Sequence, residues 1–282
     1  MGEISTKIQG WLGMGKRDRL TRERFFAAHP NCCFCGGTVP ATEIDHIPAR
    51  HLFRARQWPE GYGFPACSDC NRASALDELA MGWIVRIQLD EYSPHDEREM
   101  AVALAKLHAR RPEWVQMMTE YSRVETRQAL RKAGLSDVRF PSGEVYMMSV
   151  PEPFNEAMIR YAEKLGRALN YMHRGVAVPG NGHVRVLVLT NGQFMSQSFP
   201  RENFDILTVR PAISRSGVDL SDQFAYRYVV PVDGGGAAFL VQFRESTAFL
   251  IWIYDDKARF EAAMELQNAS IGEAEPAHQL LS

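Results

Sequence analysis

At 282 residues, with a formal net charge of −2 and hydrophobic, aromatic and charged fractions of 45%, 10% and 23%, the chain has the composition of a soluble globular protein. It has room for two ordinary domains and a core that needs no covalent staples. No apolar run approaches the ~20 residues of a membrane span, and the opening MGEISTKIQGWLGMGKRDRL lacks the apolar centre of a secretory signal, so the expectation is a cytoplasmic protein with no membrane partner. Residues 1–75 hold ten Lys and Arg against seven Asp and Glu, and residues 76–282 twenty-two against twenty-seven; bulk charge therefore neither implies nor excludes nucleic acid, and affinity for it has to come from local patches.

Residues 17–29 place Leu20, Phe25 and Phe26 at helical spacing before Pro30, which predicts a short helix. A helix from Asn71 carries Ala75, Leu76, Leu79, Ala80, Trp83, Ile84 and Ile87 on one broad face and ends before Ser93-Pro94. Residues 95–134 hold two helical stretches broken near Pro112. The first presents Met100, Leu104 and Leu107; the second presents Trp114, Met117, Met118 and Tyr121, with Gly134 as its cap. After Pro153 a further helix buries Phe154, Met158, Tyr161, Leu165, Leu169 and Met172, and Gly175 stands past its end. The period then changes to extended in 184–189, 205–210, 224–230, 237–243 and 248–254, with Asn191-Gly192 and Asp233-Gly234-Gly235-Gly236 as turns. The expected class is α+β: a cysteine-knuckle domain over 1–94, then helices and a C-terminal antiparallel sheet over 95–282.

All five cysteines, 32, 33, 35, 67 and 70, fall in one short segment. Cys32-x-x-Cys35 runs into Gly36-Gly37 and Cys67-x-x-Cys70 into Asn71, so each pair sits at a tight turn that can aim two sulfurs at one ion at ~2.3 Å. Cys32, Cys35, Cys67 and Cys70 are therefore read as ligands of a structural Zn²⁺, with Cys33 as a spectator. Buried cysteines that only pack are the plainer alternative, and two correctly spaced pairs make it the weaker one. A redox use of Cys32 and Cys35 is weaker still, because zinc would occupy the thiolates.

Between the pairs lies EIDHIPARHLFRARQWPEGYGFPA. Phosphodiester hydrolysis needs a base to activate water, a cation to neutralise the phosphoryl charge, and ligands that leave the cation open to substrate. Asp45, His46 and Asn71 are residues of those types. Adjacent side chains on an extended segment point to opposite faces, so Asp45 and His46 can do different jobs.

The order C-x-x-C-G-G, E-I-D-H-I-P and P-A-C-S-D-C-N, with Asp77-Glu78 shortly after, resembles the zinc-stabilised HNH endonucleases of the ββα-metal fold over about residues 20–90. The resemblance implies that His46 is the general base and that Asp45 and Asn71 hold a catalytic divalent ion, Mg²⁺ or Mn²⁺. The middle Asn of that family, which braces the loop orienting the base, has no counterpart in WPEGYGFPA, where Tyr62 or Gly63 stands near its place.

Each assignment has a plainer competitor. His46 alone reads as a surface histidine, Asn71 also suits a helix N-cap, and Asp77 and Glu78 also suit the positive end of a helix dipole. Arg50, Arg54, Arg56 and Arg72 flank the proposed site and are the substrate-binding candidates, since guanidinium groups suit bidentate phosphate contacts. Arg123, Arg127 and Arg131 read as a solvated face beside Glu120 and Glu125, and His29 and His51 as ordinary polar residues. Residues 95–282 carry no motif that converts into chemistry; by elimination they are expected to select the target, bind a regulatory partner or form a homo-oligomer. The expected function is a metal-dependent endonuclease acting on nucleic acid, with DNA as the substrate. The alternative is a catalytically inactive zinc-stabilised module that binds nucleic acid or protein.

Overall fold

A computed structural model of the chain describes residues 16–87, 94–132, 148–191, 206–231 and 234–274. Helix α1 (Lys16–Ala28) leads to the first cysteine pair, after which β1 (Glu43–His46) and β2 (Gly63–Ala66) pair antiparallel, with His46 opposite Gly63 and Glu43 opposite Ala66. The chain between them makes two 3₁₀ turns, Arg50–Leu52 and Arg54–Arg56. The helix expected from Asn71 starts earlier and is divided, as α2 (Ser68–Ala73) and α3 (Ala75–Ile84). The second cysteine pair explains the early start, because Cys67 caps α2 and accepts a hydrogen bond from the Cys70 backbone N–H. The expected end near Ser93 lies outside the described residues.

Helix α4 (Pro94–Arg110) buries Leu107 and α5 (Pro112–Gln116) buries Trp114. The second stretch expected after Pro112 is cut short: the chain turns into β3 (Thr119–Glu120), pairs with β4 (Met148–Ser149), and starts again as α6 (Arg123–Lys132). Ser122 and Glu125 account for the restart. The Glu125 carboxylate accepts from the Ser122 N–H (2.8 Å) while Ser122 Oγ accepts from the Glu125 N–H (3.3 Å), a reciprocal cap that begins a new helix. Gly134 lies outside the described residues.

Helix α7 (Glu152–Arg174) is the longest element and matches its expected apolar face, with Phe154, Met158, Tyr161, Leu165 and Leu169 buried and Gly175 following it. Strands β5 (His183–Thr190), β8 (Ala225–Val229), β9 (Gly236–Phe243) and β10 (Thr247–Tyr254) form an antiparallel sheet in the order β5-β10-β9-β8. Of the expected strand at 205–210, residue 205 lies outside the described residues and Val209 makes an isolated bridge to Tyr228. A small hairpin that the sequence does not announce, β6 (Ser214–Arg215) with β7 (Val218–Asp219), precedes β8, and α8 (Lys257–Ala274) follows the sheet.

The period of two sends Phe239, Val241 and Phe243 of β9 and Phe249, Ile251 and Ile253 of β10 to one face, where they join α7 in the core. A Cβ on Gly166 would lie 2.6 Å from Ile251 Cγ2, so this glycine is what allows the helix to approach the sheet so closely. On the opposite face Leu207 packs with Ala238 and Leu250. The main core also takes in Ile47, Leu52, Phe53, Phe64 and Met81, so the cysteine-bearing hairpin and the C-terminal sheet share buried residues. Phe224 packs edge-on against both Phe53 and Tyr62, and Tyr62 Oη donates to Tyr226 Oη (3.2 Å). No helix among the described residues is long and apolar enough to cross a membrane.

Candidate functional site

The two cysteine pairs converge. The sulfurs of Cys32, Cys35, Cys67 and Cys70 lie within 4.8 Å of one another, and a tetrahedral Zn²⁺ with bonds of ~2.3 Å would draw them to about 3.8 Å apart. Local backbone geometry explains the convergence. Gly36 and Gly37 adopt φ of +76° and +73° to close the first turn, and helix α2 carries Cys70 back over Cys67. The Phe34 N–H reaches Cys32 Sγ at 3.4 Å and the Cys70 N–H reaches Cys67 Sγ at 3.5 Å, contacts that favour thiolates. Burial raises the Cys32 thiol, yet hydrogen bonds from Cys67, Phe34 and Cys35 outweigh it and leave the group below its ordinary value. Cys35 is pushed up to about 11 by burial and its sulfur neighbours, and Cys70 higher still for the same reasons. A divalent cation is what would let all four ionise together. The donor set fits zinc. Cys33 is fully buried, and burial raises its thiol; its backbone N–H bonds Pro65 O at 2.9 Å, so it serves the hairpin, while the cluster is formed by the other four cysteines.

Strand β1 sends Asp45 and His46 to opposite sides. Asp45 is 5% exposed and faces inward, where its carboxylate meets the ammonium of Lys164 on α7. Burial raises the Asp45 carboxyl, offset in part by Lys164. Lys164 also donates to Ser74 Oγ (2.5 Å), Ser74 Oγ donates to Glu78 Oε1 (2.7 Å), and Lys164 Nζ lies 3.9 Å from Glu78 Oε1. Asn71, at the head of the same network, donates its side-chain N–H to Glu43 Oε2. Of Asp45 and Asn71, the expected ligands of a catalytic divalent ion, Asp45 is thus engaged through its carboxylate, and Asn71 through its amide nitrogen. A hard cation needs open oxygen donors with water or substrate alongside, and this buried carboxylate already carries a cation of its own. The residues present do not fit that ion. Beside the network an open cleft of about 350 Å³ is lined by Phe34, Ser74, Asp77, Arg160, Lys164 and Arg167.

His46 faces the other way. Arg50 Nη2 donates to His46 Nε2 at 2.6 Å; a guanidinium can only donate, so Nε2 accepts and the ring proton is on Nδ1. Burial lowers the imidazole to about 4, with the nearby Arg50 and Arg215 guanidinium groups adding to the effect. The ring stands edge-on to Trp58, centroids 5.5 Å apart. Trp58 in turn lies under the Arg50 guanidinium at 3.8 Å and the Arg215 guanidinium at 3.9 Å.

The four arginines expected to hold substrate separate into two groups. Arg50 stands at His46, and Arg56 is close enough to lower the Arg50 guanidinium by charge repulsion. Arg54 is instead tied to Asp96 (3.4 Å) and Asp222 (3.1 Å), and Arg72 to Asp69 (3.3 Å) on the exposed side of α2. His51 is structural, its Nε2 2.9 Å from the Glu78 backbone oxygen, and His29 meets Tyr171 Oη at 2.8 Å. Tyr62 and Gly63, near the place where the HNH resemblance implies a bracing Asn, do other work. Tyr62 points into the core and Gly63 pairs with the His46 backbone, so bracing of the imidazole falls to Arg50 and Trp58.

Sequence reasoning did not pick out Lys164, Ser74, Trp58 or Arg215. One of them left a signal: Lys164 stands between Tyr161 and Leu165 on the apolar face of α7, where a lysine needs a buried partner. In comparison with known proteins, no family model, curated protein or solved structure matches this chain.

Proposed function

We propose that the chain hydrolyses phosphodiester bonds of nucleic acid, DNA by its resemblance to HNH endonucleases, with His46 Nε2 as the general base. The observation that carries this reading is an imidazole whose Nε2 accepts from Arg50, with the charge of Arg215 also near enough to lower it, so that the accepting nitrogen is already defined. An anionic phosphodiester arriving there would reverse the local field, lift the imidazole toward the range where it accepts a proton at neutral pH, and draw Arg50 from Nε2 onto a phosphoryl oxygen. No step is assigned to a divalent ion, because the Asp45 carboxylate is held by Lys164.

The test is conversion of supercoiled plasmid to nicked and linear forms. His46→Ala should lower the rate at least about 100-fold, the contribution of a positioned base, with zinc content and melting temperature unchanged; cutting at the wild-type rate would sink the assignment. The engagement of Asp45 by Lys164 favours a second reading, a zinc-stabilised module that binds nucleic acid without cutting it. Binding with no cleavage under any divalent ion would select that one.

A further inference from the structure

Trp58 touches two guanidinium groups at once. Their central carbons lie 3.8 and 3.9 Å from the same ring centroid, and two such groups cannot share one face at that distance without overlapping, so they cover both. The two cation–π contacts hold a pair of like charges on opposite sides of one indole. Like charges this close repel unless something neutralises them. Among the described residues no carboxylate lies within ion-pair distance of Arg50, Arg56 or Arg215; Glu60, two residues from Trp58, instead accepts from the Ser216 backbone N–H at 3.0 Å. The Arg50 Nε–H is buried with no hydrogen-bond partner. The cluster has more positive charge and more donors than the protein itself satisfies, which is the condition of an anion site.

The placement of Arg215 is built, not incidental. The Glu60 N–H bonds Ser214 O at 3.0 Å, Arg215 donates to Trp58 O at 3.2 Å, and Ser216 bonds Glu60, so the β6–β7 hairpin is pinned to the loop that carries Trp58. The hairpin belongs to the C-terminal part of the chain and the loop to the cysteine-bearing part.

We infer that Arg50, Trp58 and Arg215 form a composite phosphate cradle in which the C-terminal part of the chain supplies one of the two gripping cations, and that it takes the sugar–phosphate backbone of nucleic acid. This rests on the reading of His46 as a residue that works on a phosphodiester. Backbone is favoured over bases because both faces of Trp58 are already covered, leaving no aromatic platform for a base to stack on. Recognition at this point is therefore independent of sequence.

The experiment uses the full zinc-loaded chain and two probes: inorganic pyrophosphate by calorimetry, and a fluorescein-labelled oligonucleotide by anisotropy at several salt concentrations. Arg215→Ala should weaken both at least tenfold and reduce the slope of log K against log salt by about 1, one phosphate contact fewer. Arg215→Lys should restore the slope but not the full affinity, since an ammonium keeps the charge and loses the planar stack. Arg98→Ala, an equal loss of charge from an exposed position on α4, should change neither. Unaltered binding by Arg215→Ala would overturn the cradle, while plasmid cutting that still needs His46 would leave the proposed function standing. Pyrophosphate binding that depends on Arg215, with no oligonucleotide bound, would overturn the nucleic-acid assignment and keep the anion site.

Discussion

The two sides of strand β1 are one residue apart and opposite in character. On the Asp45 side the charges have polar partners: Lys164 meets Asp45, Ser74 links Lys164 to Glu78, and the Asn71 amide donates to Glu43. On the His46 side, among the described residues, positive charge accumulates with no carboxylate paired to it, in Arg50, Arg56 and Arg215 near the imidazole. A buried network of paired charges holds parts together, whereas unpaired positive charge near the surface favours an anion. Under the proposed function, structural work falls to the inward face and chemistry to the outward one, although the resemblance to HNH endonucleases implies a metal ion at the inward residue.

The largest test removes what both faces hang from. Strand β1 is fixed at its paired strand β2, which runs directly into Cys67, and the first cysteine pair is bonded back to the same hairpin through the Cys33 N–H and Pro65 O. Stripping zinc with a strong chelator should cost on the order of 10 kcal/mol and abolish the tertiary signal of residues 31–70, read by thermal melting and by loss of cysteine protection from alkylation. Elemental analysis that finds no zinc, with an unchanged melt in chelator, would remove the knuckle as the common anchor.

Next in size is the inward face alone. Lys164 and Asp45 have side-chain exposures of 10% and 7%, so Lys164→Met leaves a buried carboxylate uncompensated and should cost about 3–5 kcal/mol, whereas the double variant Lys164→Met with Asp45→Asn should recover most of that loss. Urea unfolding at pH 7 reads both. If the single variant unfolds like the wild type, Asp45 is not clamped, and the inward face regains its claim to a metal.

How much of this the sequence discloses follows from the range of the forces involved. The four sulfurs are set by two short spacings and tight turns, so their convergence is legible. Helix α7 and strands β5, β8, β9 and β10 follow from periodicity within one segment. The opposed directions of Asp45 and His46 follow from the strand alone. The partners of those two side chains do not, because Lys164 and Arg215 arrive from well over a hundred residues away along paths that only the assembled core defines. The short hairpin carrying Arg215 is also too brief to show a period. Arg54 illustrates the converse: next to the site in sequence, it was a fair candidate for phosphate, yet Asp96 and Asp222, brought in from afar, consume its charge.

The smallest effect is a difference in pH dependence, and its sign separates the faces. His46 is lowered to about 4 in the folded chain, against about 6.5 when unfolded, so between those values the unfolded state binds a proton that the folded state refuses. Its contribution to stability therefore rises as pH goes from about 4 to 6.5 and is level above. Asp45 and Glu78 run the other way. Burial raises both, so the folded state holds their protons more tightly, and their contribution falls as pH climbs above the ordinary carboxylate range. His46→Gln deletes the first trend and keeps the second. Urea midpoints between pH 4.5 and 7.5 should show the wild type losing more stability than the variant on acidification. Parallel profiles would mean that His46 protonates as freely in the folded chain as in the unfolded one, and the outward face would then lack the burial and the positive field that distinguish it from the inward one.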